Sequence, residues 1–166
     1  MKARDFEKEF EEKYNSYGSM LYKIAFLYLN NASDAEDVLQ EVFSKYLLTR
    51  KDFNNKEHEK AWFIRTTQNY CLDTLRKSER KNLDIDDLSV ITQPDNDTKQ
   101  DIERSIIALP PKYKIVIFLH YYSGYSVEEI SSLLKIGKSA VKKRLQRGRE
   151  MLKLRLEDYE ICKRKN

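Results

Sequence analysis

The sequence predicts an all-α chain of two small helical domains joined by a flexible acidic linker. Three observations point there. Glycine and proline are scarce, four and three among 166 residues, so the turn residues that an all-β chain needs are missing. Apolar side chains recur at helical spacing along most of the chain. Charge falls into three blocks. Residues 1–80 carry 14 basic and 14 acidic side chains, 81–100 carry two and five, and 101–166 carry 15 and eight. The net therefore runs from zero through −3 to +7, reaching +4 for the whole chain. The basic end is the part suited to nucleic acid.

The first domain is expected over residues 1–80. Phe6, Phe10 and Tyr14 fall on one helical face, and Leu21, Ile24, Ala25 and Tyr28 continue the spacing until Asn30-Asn31 interrupts it. Ser33-Asp34-Ala35-Glu36 has the pattern of a capping box, with Ser33 as N-cap. The helix it opens carries Ala35, Val38, Leu39, Val42, Phe43, Tyr46 and Leu47 on its apolar side. A third helix is expected from about Glu57 to Glu79, with Trp62, Thr66 and Tyr70 at four-residue steps. Three amphipathic helices close one small bundle. Residues 81–100, with Asp84, Asp86, Asp87, Asp95, Asp97 and Pro94, bury too little to fold alone and read as the linker.

The second domain is expected over 101–166. A short helix over about Asp101 to Ala108 precedes Pro110-Pro111, which opens a helix carrying Tyr113, Val116, Ile117, Leu119 and His120. Ser123-Gly124-Tyr125 is a turn. Ser126-Val127-Glu128-Glu129 is a second capping box, opening a helix to about Leu134. After a tight turn at Ile136-Gly137, a basic helix runs from Lys138 to about Tyr159. Residues 126–149 have the form of a helix-turn-helix: Ile130 and Leu134 on one helix and Val141, Leu145 and Leu152 on the next can bury crossed inner faces, with Ile136 as the plug between them. From Lys135 to Arg155 there are nine basic residues against the single acid Glu150, which suits a major groove and its flanking phosphates. A solvated basic face is the plainer reading of such a helix by itself. The capped helix and turn before it favour DNA.

Other classes find less support. His58 and His120 are far apart and sit in no metal-ligand pattern; no phosphate-binding glycine loop or nucleophile elbow occurs, so no catalytic residue, metal or cofactor is nominated. Cys71 and Cys162 do not read as a disulfide framework, and the charged start of the chain does not read as a secretory signal. No apolar stretch is long enough to span a membrane, so a cytoplasmic protein is expected.

The ordering of these pieces resembles the sigma-70 family in the extracytoplasmic-function form that keeps only regions 2 and 4, over roughly residues 5–158. Asp34 to Phe43 (DAEDVLQEVF) is close to region 2.2, and Trp62-Phe63-Ile64-Arg65 with Asn69 to Arg76 (NYCLDTLR) look like regions 2.3 and 2.4. Ala108-Leu109-Pro110 leading into the helix-turn-helix looks like region 4. The resemblance departs at Lys135, where the family usually has glycine. It implies a factor that binds core RNA polymerase, through its largest-subunit clamp helices and flap region, and directs promoter recognition. Asp37, Gln40 and Glu41 would meet the clamp helices. Arg65, Asn69, Asp73, Arg76, Lys77 and Arg80 would meet the −10 element. Lys138, Ser139, Lys142, Lys143 and Arg147 would meet the −35 element. Asp73 also has the spacing to pair with Arg76 or Lys77, and Trp62 reads as core ahead of a base-stacking residue. The linker would thread the polymerase's RNA path. Family members are often held inactive by an anti-sigma protein, a partner that no residue here marks. The alternative function is a helix-turn-helix regulator that binds an operator without joining polymerase.

Overall fold

The computed structural model describes the backbone over residues 3–81 and 104–165, with side chains over 5–79 and 104–153. The expected linker, the first residues of the short helix before Pro110, and the side chains of Arg80 and Cys162 lie outside the described residues. The chain divides into two compact units, Met1–Arg80 and Lys81–Asn166. Every described element is helical, as the scarcity of turn residues requires.

The first unit is three helices: α1 (Ala3–Leu29), α2 (Ala32–Thr49) and α3 (Lys56–Lys81). Asn30 ends α1 in the left-handed region, at φ 53°. Asn31 then caps α2 in an extended conformation, its side chain accepting from the Asp34 N–H at 3.0 Å. The expected Ser33 cap is therefore displaced two residues upstream. Asn31 follows a sharp turn and has both the conformation and the acceptor that an N-cap needs, so the helix has already begun when Ser33 is reached. Asn55 does the same for α3, accepting from the His58 N–H at 2.8 Å. Leu21, Ile24, Ala35, Val42, Phe63 and Ile64 are wholly buried between the helices. Phe63 sits among rings, with centroids of Tyr17, Phe43, Tyr46 and Trp62 at 5.1–5.3 Å. Trp62 itself is half-buried at the edge of this cluster, with Lys51 Nζ 5.9 Å from its ring centre.

Polar groups tie α1 to both other helices. The Glu59 carboxylate, nearly buried, accepts from Lys13 Nζ at 2.7 Å and from the Tyr17 hydroxyl at 2.8 Å. The Tyr46 hydroxyl donates to Glu9 at 2.6 Å. Burial, and then the Glu9 carboxylate, hold that phenol well above its usual pKa. Cys71 is free and fully buried, and burial pushes its thiol up to about 12, so it is chemically inert in the folded state.

The second unit begins with a helical turn, α4 (described over 104–107), followed by α5 (Pro111–Ile117), α6 (Val127–Leu134) and α7 (Lys138–Lys165). Pro111 occupies the first position of α5, where no N–H is needed. Lys114, Ile115, Val116 and Ile117 are all buried, so α5 is the central helix of the unit. Lys114 is the unexpected member. Its Nζ donates to the Ile107 carbonyl at 3.0 Å, closing the end of α4, and burial pulls its ammonium down to about 8. Past Ile117 the helix widens into a π turn over Phe118–Tyr122, where the Ser123 N–H reaches back to Phe118 O. Leu119 stays buried, while Tyr121 and Tyr122 are 54% and 61% exposed. α5 and α7 approach closely at Gly148, where a Cβ would come within 3.0 Å of Ile117 Cγ1.

Ser126 and Glu129 form the expected reciprocal cap of α6, at 3.1 and 2.7 Å. The turn closes on Lys135, in the left-handed region at φ 52°. A residue with a Cβ costs roughly 1–2 kcal/mol there, partly offset by the extra freedom of unfolded glycine. Lys135→Gly should therefore stabilise the second unit by about 1 kcal/mol, read as a higher urea midpoint by circular dichroism. An unchanged or lower midpoint would contradict this.

Candidate nucleic-acid interface

Each unit presents its own outward face. On α2 the buried side carries Ala35, Val38, Leu39, Val42, Phe43 and Tyr46. Asp37, Gln40 and Glu41 stand opposite, all exposed. The same stripe continues at four- and three-residue steps to Ser44 and Leu48, and Leu48 is 86% exposed. Sequence reading missed Leu48. The available signal was a leucine lying off the apolar register of its own helix. Carboxylates, an amide and one apolar tip together fit a partner with basic and apolar side chains. Gln40 also borders a groove of about 660 Å³ between α1 and α2, lined among others by Phe10, Tyr14, Tyr22 and Phe43.

On α3, Asn69, Asp73, Arg76 and Lys77 are exposed and Arg65 is half-buried, at spacings that put Arg65, Asn69, Asp73 and Arg76 along one side. Arg76 donates to Asp73 at 3.3 Å, the short-range pairing the spacing allowed. Both side chains are more than half exposed, so the pair is weak and can open to a ligand. Two further cations, not singled out by sequence, stand over rings of α3. Lys45 stands 5.6 Å from the centre of the Tyr70 ring, and Lys51 caps Trp62. Guanidinium and ammonium groups beside an amide and half-open rings can hold a sugar-phosphate backbone and an unstacked base.

In the second unit, Lys138, Ser139, Lys142, Lys143 and Arg147 are all exposed on the first three turns of α7. Val141 and Leu145 fix that orientation by packing inward, fully or nearly fully buried. They meet Ile130, Leu133 and Leu134 of the preceding helix, the buried side of a helix-turn-helix. Ser131 ties the intervening turn by donating to the Ile136 carbonyl at 2.6 Å. Arg147 is partly engaged, 3.5 Å from the Glu150 carboxylate. Lys112 and Tyr113 of α5 join Lys143, Arg144 and Arg147 around a groove of about 420 Å³. The result is a rigid cationic edge that can lie along a duplex, with side chains short enough to reach base edges at Ser139 and long enough to reach phosphates elsewhere.

Among the described residues no helix is long and apolar enough to cross a membrane, and no cluster of histidine, cysteine and carboxylate side chains could hold a metal ion.

Comparison with known proteins agrees with this two-part arrangement. Residues 14–81 match the family model "Sigma-70 region 2", and residues 99–152 match "Sigma-70, region 4". The RNA polymerase sigma factor SigV of Bacillus subtilis is 28% identical over 138 residues, covering 81% of this chain and 83% of its own. SigZ of the same organism is 31% identical over 134 residues, covering 78% and 76%. In fold, the chain is similar to the sigma factor RpoE of Bartonella quintana, solved with the anti-sigma factor NepR, at a TM-score of 0.75 and 22% identity over 90% of this chain and 98% of that one.

Proposed function

We propose a division of labour that proceeds from one premise: this chain belongs to the sigma-70 family of RNA polymerase sigma factors, in the extracytoplasmic-function form that keeps regions 2 and 4. As a sigma factor it binds core RNA polymerase and directs promoter recognition and transcription initiation. It acts in the cytoplasm, by binding rather than by catalysis. Region 2 spans residues 1–80, an acidic linker spans 81–100 and region 4 spans 101–166. Asp37, Gln40 and Glu41, extended by Leu48, dock on the clamp helices of the largest polymerase subunit. Arg65, Asn69, Asp73, Arg76, Lys77 and Arg80 hold the opened −10 element. Lys138, Ser139, Lys142, Lys143 and Arg147 hold the −35 duplex, with region 4 seated by the polymerase flap.

The observation that carries this reading is the pair of separately folded units, each with its own exposed face and each matching its own region of the family in chain order. Core polymerase would set the distance between two weak DNA contacts and so turn them into one specific contact. Unpaired −10 bases would be captured as the duplex opens, the binding free energy driving the opening without ATP. An operator-binding regulator would leave the region 2 face without a role. An anti-sigma protein is a further partner of the kind seen with RpoE.

In vitro transcription with purified core polymerase and a library of promoter fragments tests the reading. A subset of fragments should yield transcript only when the chain is added, and no stimulation on any fragment overturns it. Glu41→Lys should lower association with core polymerase about tenfold while leaving the helical content unchanged, since it places a cation where the basic partner surface docks. Undiminished capture in a pull-down removes Glu41 from that role.

A further inference from the structure

Arg149 lies outside the set of residues just assigned, and its surroundings differ from those of Arg147. Arg147 shares its charge with Glu150 at 3.5 Å. Among the described residues Arg149 has no carboxylate partner. Its Nη1 instead donates to the Tyr121 hydroxyl at 2.9 Å, across 28 residues of sequence. The tyrosine comes from the π turn that follows α5, and its ring is set edge-on to His120 at 4.9 Å. A neutral hydroxyl orients a guanidinium without spending its charge. The same hydroxyl, used as acceptor by Arg149, keeps its own proton to donate.

The position on α7 says what this pair can reach. Lys138, Lys142 and Arg149 are separated by four and seven residues, so they form one axial stripe at 100° per residue. Arg149 stands about 10 Å beyond Lys142 along the helix axis. A major groove is about 12 Å wide, so a helix with Lys142 in or beside the groove carries Arg149 to its phosphate rim. Both Arg149 and Tyr121 are exposed.

We propose that the Tyr121 hydroxyl and the Arg149 guanidinium form a composite site for one DNA backbone phosphate, at the edge of the groove entered by α7. The proposal rests on the reading of this unit as the −35 binding module. Arg149 supplies the charge and Tyr121 acts in part as its positioning residue. The pair links the segment before the helix-turn-helix to the duplex, so the register of α7 in the groove is set from two helical segments.

The test uses holoenzyme reconstituted from core polymerase and the full chain, on the promoter fragment giving most transcript in the library. Footprinting titrations over a salt series give affinity and its slope for the wild type, Arg149→Ala, Arg149→Lys, Tyr121→Phe and the Tyr121→Phe/Arg149→Ala double variant. Arg149→Ala should weaken binding about fivefold and flatten the slope by about 0.9, the loss of one phosphate contact. Arg149→Lys should restore the slope. Tyr121→Phe should weaken binding about threefold, keep the slope, and add nothing in the Arg149→Ala background. A wild-type slope and affinity for Arg149→Ala overturn the site. So does a Tyr121→Phe loss of equal size with and without Arg149, which would make the tyrosine a packing residue only. A wild-type holoenzyme that leaves no footprint over the −35 element overturns the reading of this unit as the −35 module, and this site with it.

Discussion

Replacing both Lys142 and Arg147 with alanine is expected to weaken promoter binding by the reconstituted holoenzyme on the order of 100-fold and to flatten its salt dependence by about 1.8, two phosphate contacts' worth. The two effects have separate origins. The affinity loss comes from charge-assisted hydrogen bonds to phosphate or base, and the slope change from counterions no longer released. Lys142 is exposed, and Arg147 is held only by a weak surface pair with Glu150. Losing Arg147 also leaves the Glu150 carboxylate facing the phosphates without its neighbour, which adds repulsion. The helix itself should be unharmed, because the buried side chains of Val141 and Leu145, which neither substitution touches, hold it in place. Footprinting across a salt series measures both numbers. Unchanged affinity with an unchanged slope would remove this face of α7 from the DNA.

Phe63→Ala should cost the first unit about 4 kcal/mol, the range for emptying a phenylalanine site in a packed core. Phe63 has no exposed surface and meets rings from α1, α2 and its own helix, so no single neighbour can swing in to refill the space. Small domains have about 5–15 kcal/mol in hand, so the variant stands near the edge of folding at 37 °C. The measurement is clean because the chain has one tryptophan, Trp62, packed 5.1 Å from the Phe63 ring. Its fluorescence reports the first unit alone during urea unfolding. A midpoint indistinguishable from wild type would show that the ring cluster contributes little, and Phe63→Leu should recover most of the loss.

Helix positions were legible because periodicity is a property of neighbouring residues. Caps were less so. Ser33-Asp34-Ala35-Glu36 and Ser126-Val127-Glu128-Glu129 carry the same spacing, yet only the second is used as a cap. The difference lies upstream: Asn31 can cap and Tyr125 cannot, so the cap is decided by the best acceptor available at the turn. Burial of Lys114 was illegible for a related reason. Its acceptor is the Ile107 carbonyl of another element, which no local pattern announces. The π turn was missed because one extra residue per turn barely disturbs an apolar run this short. In the candidate site, the short-range pair Asp73–Arg76 followed from three-residue spacing. The bond between Tyr121 and Arg149 is a product of the tertiary packing and could not be read in advance.

The Lys13, Tyr17 and Glu59 cluster has one further consequence. Apolar helices slide easily past one another, since one greasy contact substitutes for the next, and a displacement of one turn moves a side chain about 5.4 Å. Such slippage here would strand the Glu59 carboxylate in the interior with neither its ammonium nor its phenol. The bond from Tyr46 to Glu9 penalises the same slip on the other flank of α1. One long helix thereby latches two others at set heights. The separation between an acidic stripe on α2 and a mixed polar stripe on α3 becomes a built-in ruler, whose calibration depends on five side chains that belong to neither stripe.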